Sequence, residues 1–115
     1  MTPVTLVFGS MVGRQVRGTR QARRIVIPPD LSEPVSFVDE VIVCRTDGRL
    51  RVWSARCTHL GCLIDRSADG LLACPCHGSR FRLDGSVAAG PAARPLESLP
   101  HEIDPRTGAV IVHVS

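Results

Sequence analysis

Two short stretches rich in cysteine and histidine lie near the middle of this 115-residue chain and constrain its fold more than any other feature. They are Cys-Thr-His-Leu-Gly-Cys, residues 57–62, and Cys-Pro-Cys-His-Gly-Ser, residues 74–79. Thiolates and imidazoles are the side chains that bind zinc and iron–sulfur clusters. A chain of this length builds one modest core, which a metal site or a disulfide often stabilises. We therefore expect the fold to bring the two stretches together.

The rest of the sequence consists of short β-prone runs separated by turns. The predicted strands are residues 25–27, 35–38, 41–44, 50–54, 81–83, 87–89, 102–103 and 109–114. Asp47-Gly48 favours a hairpin turn, because both central positions must accept a positive φ. We find no internal repeat and no long helical period, so the sequence predicts a small antiparallel all-β domain, closed as a barrel or sandwich. Both Cys/His stretches fall in loops that we expect to meet at one end.

Charge divides the chain into two parts. All fourteen basic residues are arginine, and five of them lie in the first 24 residues, which contain no acid. The formal net charge of +3 therefore divides into about +5 for this segment and −2 for residues 25–115. We interpret residues 1–23 as a solvated basic arm or linker and expect no nucleic-acid partner. The longest uncharged run, residues 1–13, is shorter than the roughly 17–25 residues of a membrane span.

Four side chains in the two stretches are candidate metal ligands, namely Cys57, His59, Cys74 and His77. Four ligands suffice either for a tetrahedral zinc ion or for a 2Fe–2S cluster. Zinc sites usually use Cys-x₂₋₄-Cys or His-x₃₋₅-His pairs, and the Cys-x-His spacing here fits that rule poorly. A zinc site would also leave Cys62 and Cys76 unexplained. A mixed cysteine and histidine iron–sulfur cluster fits best, with a structural zinc module as an alternative.

The two stretches resemble the two boxes of Rieske iron–sulfur proteins, with every defined position of both boxes present. The resemblance covers about residues 25–115. It implies one Rieske-type 2Fe–2S cluster per chain, with one iron bound by Cys57 and Cys74 and the other by His59 and His77. Cluster-binding loops are then expected at residues 54–62, 73–80 and 90–95, forming a subdomain at one end of a Rieske-type barrel or sandwich over residues 24–115.

The resemblance also implies a disulfide between Cys62 and Cys76 and a proline-containing third loop, with Pro91, over the cluster. The pair of cysteines is typical of the cytochrome bc-type branch and is generally absent from Rieske ferredoxins and from ring-hydroxylating oxygenases. A disulfide favours an oxidising compartment. Because only fourteen residues separate His59 from Cys74, we expect a minimal turn without a helix between the boxes.

Several further residues are candidates for tuning the potential of the cluster. Two thiolates and two neutral imidazoles leave an oxidised cluster near zero charge, which raises its potential above that of a four-thiolate cluster. Ser79 is a candidate hydrogen-bond donor to a bridging sulfide, and the backbones of Gly61 and Gly78 can approach closely. High-potential members often carry a tyrosine at the position of Phe81. Phenylalanine cannot donate, so we expect a potential below the top of the range.

The function implied by the resemblance is one-electron transfer. His77 and His59 would accept an electron and a proton from quinol, and the electron would pass to a cytochrome, within a quinol:cytochrome c oxidoreductase-like complex. Leu60 and the 90–95 loop would form an apolar rim for cytochrome b- or c-type subunits. We expect a location on the periplasmic side of the cytoplasmic membrane, held there by an anchor or a partner subunit. The alternatives are a cytoplasmic Rieske-type ferredoxin and the small Rieske subunit of an oxygenase or molybdenum oxidase.

The remaining cysteine and histidines are expected to play no part in metal binding. Cys44 lies in an apolar strand pattern, which predicts a buried free thiol. His113 lies on the outward face of the last strand, and His101 follows a proline in a loop. Trp53 is interpreted as a core residue.

Overall fold

A computed structural model of the protein describes residues 22–31 and 33–114. This part of the chain forms ten strands and no helix, and it therefore contains no helix that could cross a membrane. The strands are β1 (Arg23–Ile27), β2 (Val35–Val38), β3 (Val41–Thr46), β4 (Arg49–Ser54), β5 (Arg66–Ala68), β6 (Leu71–Ala73), β7 (Arg80–Phe81), β8 (Val87–Ala89), β9 (His101–Ile103) and β10 (Val110–Val114). Every pairing is antiparallel, which confirms the predicted all-β fold. Residues 1–21 of the predicted basic arm lie outside the described residues.

The strands form three sheets, in the orders β1-β10-β9, β2-β3-β4 and β5-β6-β7-β8. The first two sheets pack face to face around one group of apolar side chains, which we call the base core. Its buried members are Ile25, Ile27, Val41, Val43, Val52, Leu99, Val110, Val112 and Val114. Alternation along β10, where Val110, Val112 and Val114 point inward, follows from the two-residue period of a strand. These two packed sheets form the sandwich that the sequence predicted as one of two possible closures.

The opposite face of the middle sheet packs on the four-stranded sheet and on the two Cys/His loops. We call this group the loop-side core, and its buried members are Ile42, Cys44, Ala55, Cys57, Ile64, Leu72, Cys74, Phe81, Ala92 and Leu96. Strand β3 therefore contributes to both cores. This explains its unbroken apolar run at residues 41–44, since a strand covered on both faces has no polar side.

Cys44 lies in β3 and is completely buried, as expected for a free structural thiol. Burial raises the pKa of its thiol to about 11, because the thiolate would lose its hydration. The nearby charge of Arg51 and the polar N–H of the Trp53 indole, whose hydrogen bond goes to Leu83, offset this only in part. At neutral pH the thiol is protonated and unreactive.

The segment between the two boxes contains a hairpin, β5–β6, where the sequence analysis expected only a minimal turn. Its turn is Asp69-Gly70, with φ values of 54° and 78°. Asp47-Gly48, in the predicted turn between β3 and β4, has nearly the same values, 53° and 72°. Both pairs have the two positive φ angles that a two-residue hairpin turn requires. The expected absence of a helix here is confirmed, but the same Asp-Gly motif was available to predict the hairpin.

Trp53 sits at the junction between β4 and the loops. Its indole Nε1 donates a hydrogen bond to the carbonyl of Leu83 at 3.1 Å, and the half-buried ring packs against the loop-side core. The ring leaves no space for a side chain at Gly85, where an added Cβ would lie 2.8 Å from it. The interpretation of Trp53 as a core residue agrees with these contacts.

Residues 97–100 tie the end of β4 to the first sheet. The amide of Ser54 donates to the carbonyl of Glu97 at 2.8 Å, and the amide of Leu99 donates to the carbonyl of Val52 at 3.0 Å. One residue further on, the carbonyl of Pro100 accepts from the amide of His113 at 2.9 Å. Because β4 leads directly into the first Cys/His stretch, these bonds fix the base from which that loop projects.

Candidate metal centre

The first Cys/His stretch forms a tight loop closed by main-chain hydrogen bonds. The amide of Cys57 donates to the carbonyl of Cys62, and the amide of Gly61 donates to the carbonyl of Cys57, both at 2.8 Å. Gly61 has a φ of 80°, which disfavours any residue with a Cβ. The loop buries Cys57, leaves His59 half-buried and holds Leu60 in solvent, with 65% of its surface exposed.

The second stretch forms a similar loop. The amide of Cys74 donates to the carbonyl of Ser79 at 2.9 Å, and Gly78 takes a φ of 79° near the tip. Cys74 and Ser79 are buried, whereas His77 is exposed. Both loops therefore place a thiol in the interior and an imidazole nearer to solvent.

A disulfide between Cys62 and Cys76 joins the two loops, with a Cα–Cα distance of 6.5 Å. This is the bridge implied by the resemblance. It links the far end of the first loop to the middle of the second, so the two loops cannot separate while it is intact.

The four predicted ligands lie together at this end of the molecule. Cys57 and Cys74 are buried free thiols in the loop-side core. The rings of His59 and His77 lie with their centroids 5.2 Å apart and their planes perpendicular. No three His, Cys, Asp or Glu side chains of residues 22–31 and 33–114 are placed to hold one metal ion. A Rieske centre needs two thiolates at one iron and two imidazoles at the other, and that donor set is present.

The Nδ1 atom of His59 gives a second indication that these residues fit a metal centre. It is buried, yet it has no hydrogen-bond partner among the described residues. A buried polar atom without a partner costs about 1–3 kcal/mol, so such atoms are rare in folded proteins. A metal bound at this nitrogen would satisfy it. The donor set and the orphaned nitrogen together fit a 2Fe–2S cluster.

The predicted third loop, residues 90–95, is bonded to both boxes. The amide of Ala92 donates to the Ser79 hydroxyl at 3.1 Å, and the Thr58 hydroxyl donates to the carbonyl of Arg94 at 2.7 Å. Pro91 is exposed on its outer side. Since Ser79 accepts here, its hydroxyl hydrogen remains free to donate elsewhere. Thr58 and Ala92 were not predicted, because contacts of main-chain atoms between distant loops leave no pattern in the sequence.

Gly90 allows the closest approach between the third loop and the second box. Its φ is 94°, and an added Cβ would lie 2.5 Å from the Cα of Ser79. We expect Gly90→Ala to destabilise the protein by about 2–4 kcal/mol, because backbone strain adds to a clash with main chain that cannot move aside. Denaturant unfolding and loss of visible absorbance of the loaded protein measure this.

Gly48→Ala is the matched control for that variant. Gly48 also has a positive φ, 72°, but an added Cβ would meet nothing within 4 Å. We expect a cost of about 1 kcal/mol, from strain alone. Equal losses in the two variants would show that the third loop does not depend on this close approach.

The other two histidines lie in strands of the first sheet, and the prediction of a loop at His101 is wrong. His101 is in β9, with its Nδ1 3.0 Å from the carbonyl oxygen of Leu99. His113 is exposed on β10, with its Nε2 3.6 Å from a carboxylate oxygen of Glu102.

Comparison with known proteins agrees with this geometry. The chain matches the Rieske [2Fe-2S] domain over residues 11–100. The cytochrome b6-f complex iron-sulfur subunit of Chlorobaculum tepidum is 42% identical over 79 residues, which cover 67% of this chain and 42% of that subunit. The cytochrome b6-f complex iron-sulfur subunit 1 of Synechocystis is 44% identical over 66 residues, covering 45% of this chain and 37% of the relative. The chain thus spans about two fifths of the length of these relatives.

Solved structures show the same fold. The plasma membrane Rieske protein PetC3 from Synechocystis superposes with a TM-score of 0.54 at 29% identity, over 68% of this chain and 82% of that one. The ferredoxin of carbazole 1,9a-dioxygenase from Nocardioides aromaticivorans superposes with a TM-score of 0.54 at 24% identity, over 81% of this chain and 97% of that one, which is a likeness of fold alone. With both boxes, the disulfide and the matched domain in agreement, the chain belongs to the Rieske 2Fe–2S domain family, and its cofactor is a Rieske-type 2Fe–2S cluster.

Proposed function

We propose that the protein is a one-electron carrier whose cluster is held by Cys57 and Cys74 at one iron and by His59 and His77 at the other. The observation that carries the proposal is the meeting of two buried free thiols and two adjacent imidazoles on loops joined by a disulfide. When bound, the cluster supplies a centre that gains and loses one electron. Residues 24–115 form the cluster-bearing domain in this proposal.

The residues at the tip of the two loops have different roles in the proposed electron transfer. The exposed ring of His77 is the contact point for a redox partner, because the other ligands are half-buried or buried. The Ser79 hydroxyl, which accepts from the Ala92 amide, would donate to a sulfur of the cluster, and the backbones of Gly61 and Gly78 would allow a close approach. Leu60 and Leu63, which are 65% and 44% exposed, supply apolar surface beside the imidazoles.

The partners that we propose are quinol as donor and a cytochrome b- or c-type subunit as acceptor. Relatives named as iron–sulfur subunits of the cytochrome b6-f complex support this assignment. Quinol gives up a proton with each electron, and in this proposal a ring nitrogen of His77 or His59 that does not bind iron takes it. We place the domain on the periplasmic side of the cytoplasmic membrane, attached through an anchor segment or a partner subunit. A disulfide between the boxes is consistent with that oxidising side.

A redox titration of the cluster-loaded protein followed by electron paramagnetic resonance tests the carrier assignment. We expect one reversible one-electron transition between about −150 and +300 mV, with the signal of a histidine-ligated cluster. A potential near −400 mV would indicate four thiolate ligands and contradict the assignment.

Quinol oxidation is tested separately, by mixing the oxidised protein with decylubiquinol and following the reduced-cluster signal. Rapid reduction of the loaded protein supports the quinol proposal, and replacing the exposed Leu60 with aspartate, which leaves all four proposed ligands in place, should slow it. A loaded protein that titrates normally but is not reduced by quinol would instead favour a ferredoxin-like carrier.

Phe81 provides a test of how the potential is set. Its ring is fully buried in the loop-side core, which also contains Cys57 and Cys74. A tyrosine hydroxyl at this position would lie near the thiolates and donate a hydrogen bond to one of them. We expect Phe81→Tyr to raise the potential by about 40 mV, the equivalent of a bond worth about 1 kcal/mol to the reduced state. A potential that stays the same or falls would contradict this role for position 81.

A further inference from the structure

A cleft beside the first Cys/His loop carries two arginines that the proposed cluster site does not use. Its volume is about 710 Å³, and its lining includes Arg56, Arg94, Thr58 and His59, with Glu97 as the acidic residue. Arg56 and Arg94 are both exposed. Within residues 22–31 and 33–114, neither guanidinium lies within ion-pair distance of a carboxylate. The cleft lining therefore carries two positive charges against one negative charge, a formal excess of +1.

Both arginines are tethered to the main chain of the first loop. Arg56 Nη1 donates to the carbonyl of Gly61 at 3.3 Å, and Arg94 Nη2 donates to the carbonyl of Thr58 at 3.4 Å. Each contact uses one of the five N–H groups of a guanidinium. Most donors remain available, and a guanidinium pairs with a planar carboxylate through two parallel bonds.

The charge of the cleft is opposite to that of the surrounding domain. Residues 25–115 carry a formal charge of −2, whereas the cleft lining holds two arginines and one glutamate. An acidic partner is repelled by the domain as a whole and attracted at the cleft, which orients its approach. Because His59 lines the same cleft, a partner docked there lies next to the cluster ligands.

We propose that Arg56 and Arg94 form a docking cleft for a carboxylate-bearing surface of an acidic redox partner protein. The inference rests on the proposed electron-carrier function and adds the charge of the partner and its place of docking. One electron passes from the reduced cluster to the oxidised centre of the partner, the proton that an imidazole took up from quinol leaves to solvent, and no covalent bond forms or breaks. The occupant is a protein surface, whose acidic groups are carboxylates, because His59 lines the cleft and the electron leaves to a protein partner.

Two inorganic oxidants of opposite charge test the cleft in the cluster-loaded full chain. The reduced protein is mixed with hexacyanoferrate(III), an anion, or with tris(phenanthroline)cobalt(III), a cation, and re-oxidation is followed by stopped flow. We expect Arg56→Gln/Arg94→Gln to lower the ratio of anion to cation rate constants about threefold or more at low salt. About 0.5 M salt should remove the difference, because it screens exposed charges. Taking the ratio cancels any change in cluster potential.

The control is Arg24→Gln/Arg49→Gln, which removes two charges from exposed arginines on β1 and β4, outside the cleft. We expect this variant to keep the ratio of the original protein. An equal fall in both variants would overturn the proposal, since net charge alone would then explain the result.

Binding of a glutamate hexapeptide, measured by calorimetry on the oxidised loaded protein, identifies the ligand chemistry. We expect binding to the original protein and at least a tenfold loss of affinity in the cleft variant. Equal or tighter binding of inorganic phosphate at matched ionic strength would overturn the carboxylate assignment. If neither oxidant takes an electron, the proposed carrier function is wrong. The peptide measurement then still shows whether the cleft binds carboxylates.

Discussion

Replacing Cys74 with alanine is expected to abolish the 2Fe–2S cluster, whereas replacing Cys44 with alanine leaves it in place. Both residues are buried free cysteines, so burial alone does not distinguish them. Cys74 lies in the second box with the other proposed ligands, and a cluster that loses one of its four protein ligands is not retained. Cys44 lies in β3, where its side chain only fills space in the loop-side core.

Iron and sulfide content, visible absorbance and the paramagnetic signal of the reduced protein measure this difference. Cys44→Ala should show the full cluster content and a loss of stability of about 1 kcal/mol, from the small cavity it leaves. Cys74→Ala should be colourless while keeping the far-ultraviolet spectrum of a β protein. A coloured Cys74→Ala protein with an unchanged signal would show that the ligand assignment is wrong.

Removing the disulfide in a Cys62→Ala/Cys76→Ala variant is expected to destabilise the loops by about 3 kcal/mol, on the chain-entropy model for a loop of this length. The two cysteines are 14 residues apart, and the segment between them contains the β5–β6 hairpin. Neither cysteine belongs to the base core. The loss should therefore fall mainly on the cluster-bearing end and only weakly on the sandwich.

Two probes in one denaturant titration separate these effects. Visible absorbance reports the cluster, and far-ultraviolet circular dichroism reports the strands. We expect the midpoint of cluster loss to move to lower denaturant by more than the midpoint of strand unfolding does. Treatment of the original protein with a reductant should reproduce the variant. Equal shifts of both midpoints would show that the two ends of the molecule unfold as one unit.

Candidate ligands of the site could be predicted from the sequence more fully than the contacts that support them. The spacing of the two boxes identified the candidate ligands, and Asp47-Gly48 identified a hairpin, since both patterns are local. The hydrogen bond from the Thr58 hydroxyl to the carbonyl of Arg94 joins residues 36 positions apart. Its acceptor is a main-chain carbonyl, which any residue provides. The orphaned Nδ1 of His59 likewise depends on what surrounds the ring in three dimensions. Neither feature could be predicted from residue type.

The way in which the three sheets pack on one another also could not be predicted from the sequence pattern. The apolar run at residues 41–44 predicted a strand but left open what covers its two faces. Only the tertiary contacts show that Val41 and Val43 face the base core while Ile42 and Cys44 face the loop-side core. The β5–β6 hairpin, by contrast, was missed although Asp69-Gly70 is a strong local signal.

The doubly buried strand β3 has a consequence for the order of folding. Its partners β2 and β4 are its neighbours in sequence, so this meander forms through local contacts, which are fast. Closing the base core needs pairing between Arg23 and Val114, near opposite ends of the described chain, which is slower. We expect the meander to form first and both cores to condense on its two faces. Iron and sulfide would then enter loops whose supporting scaffold is already in place.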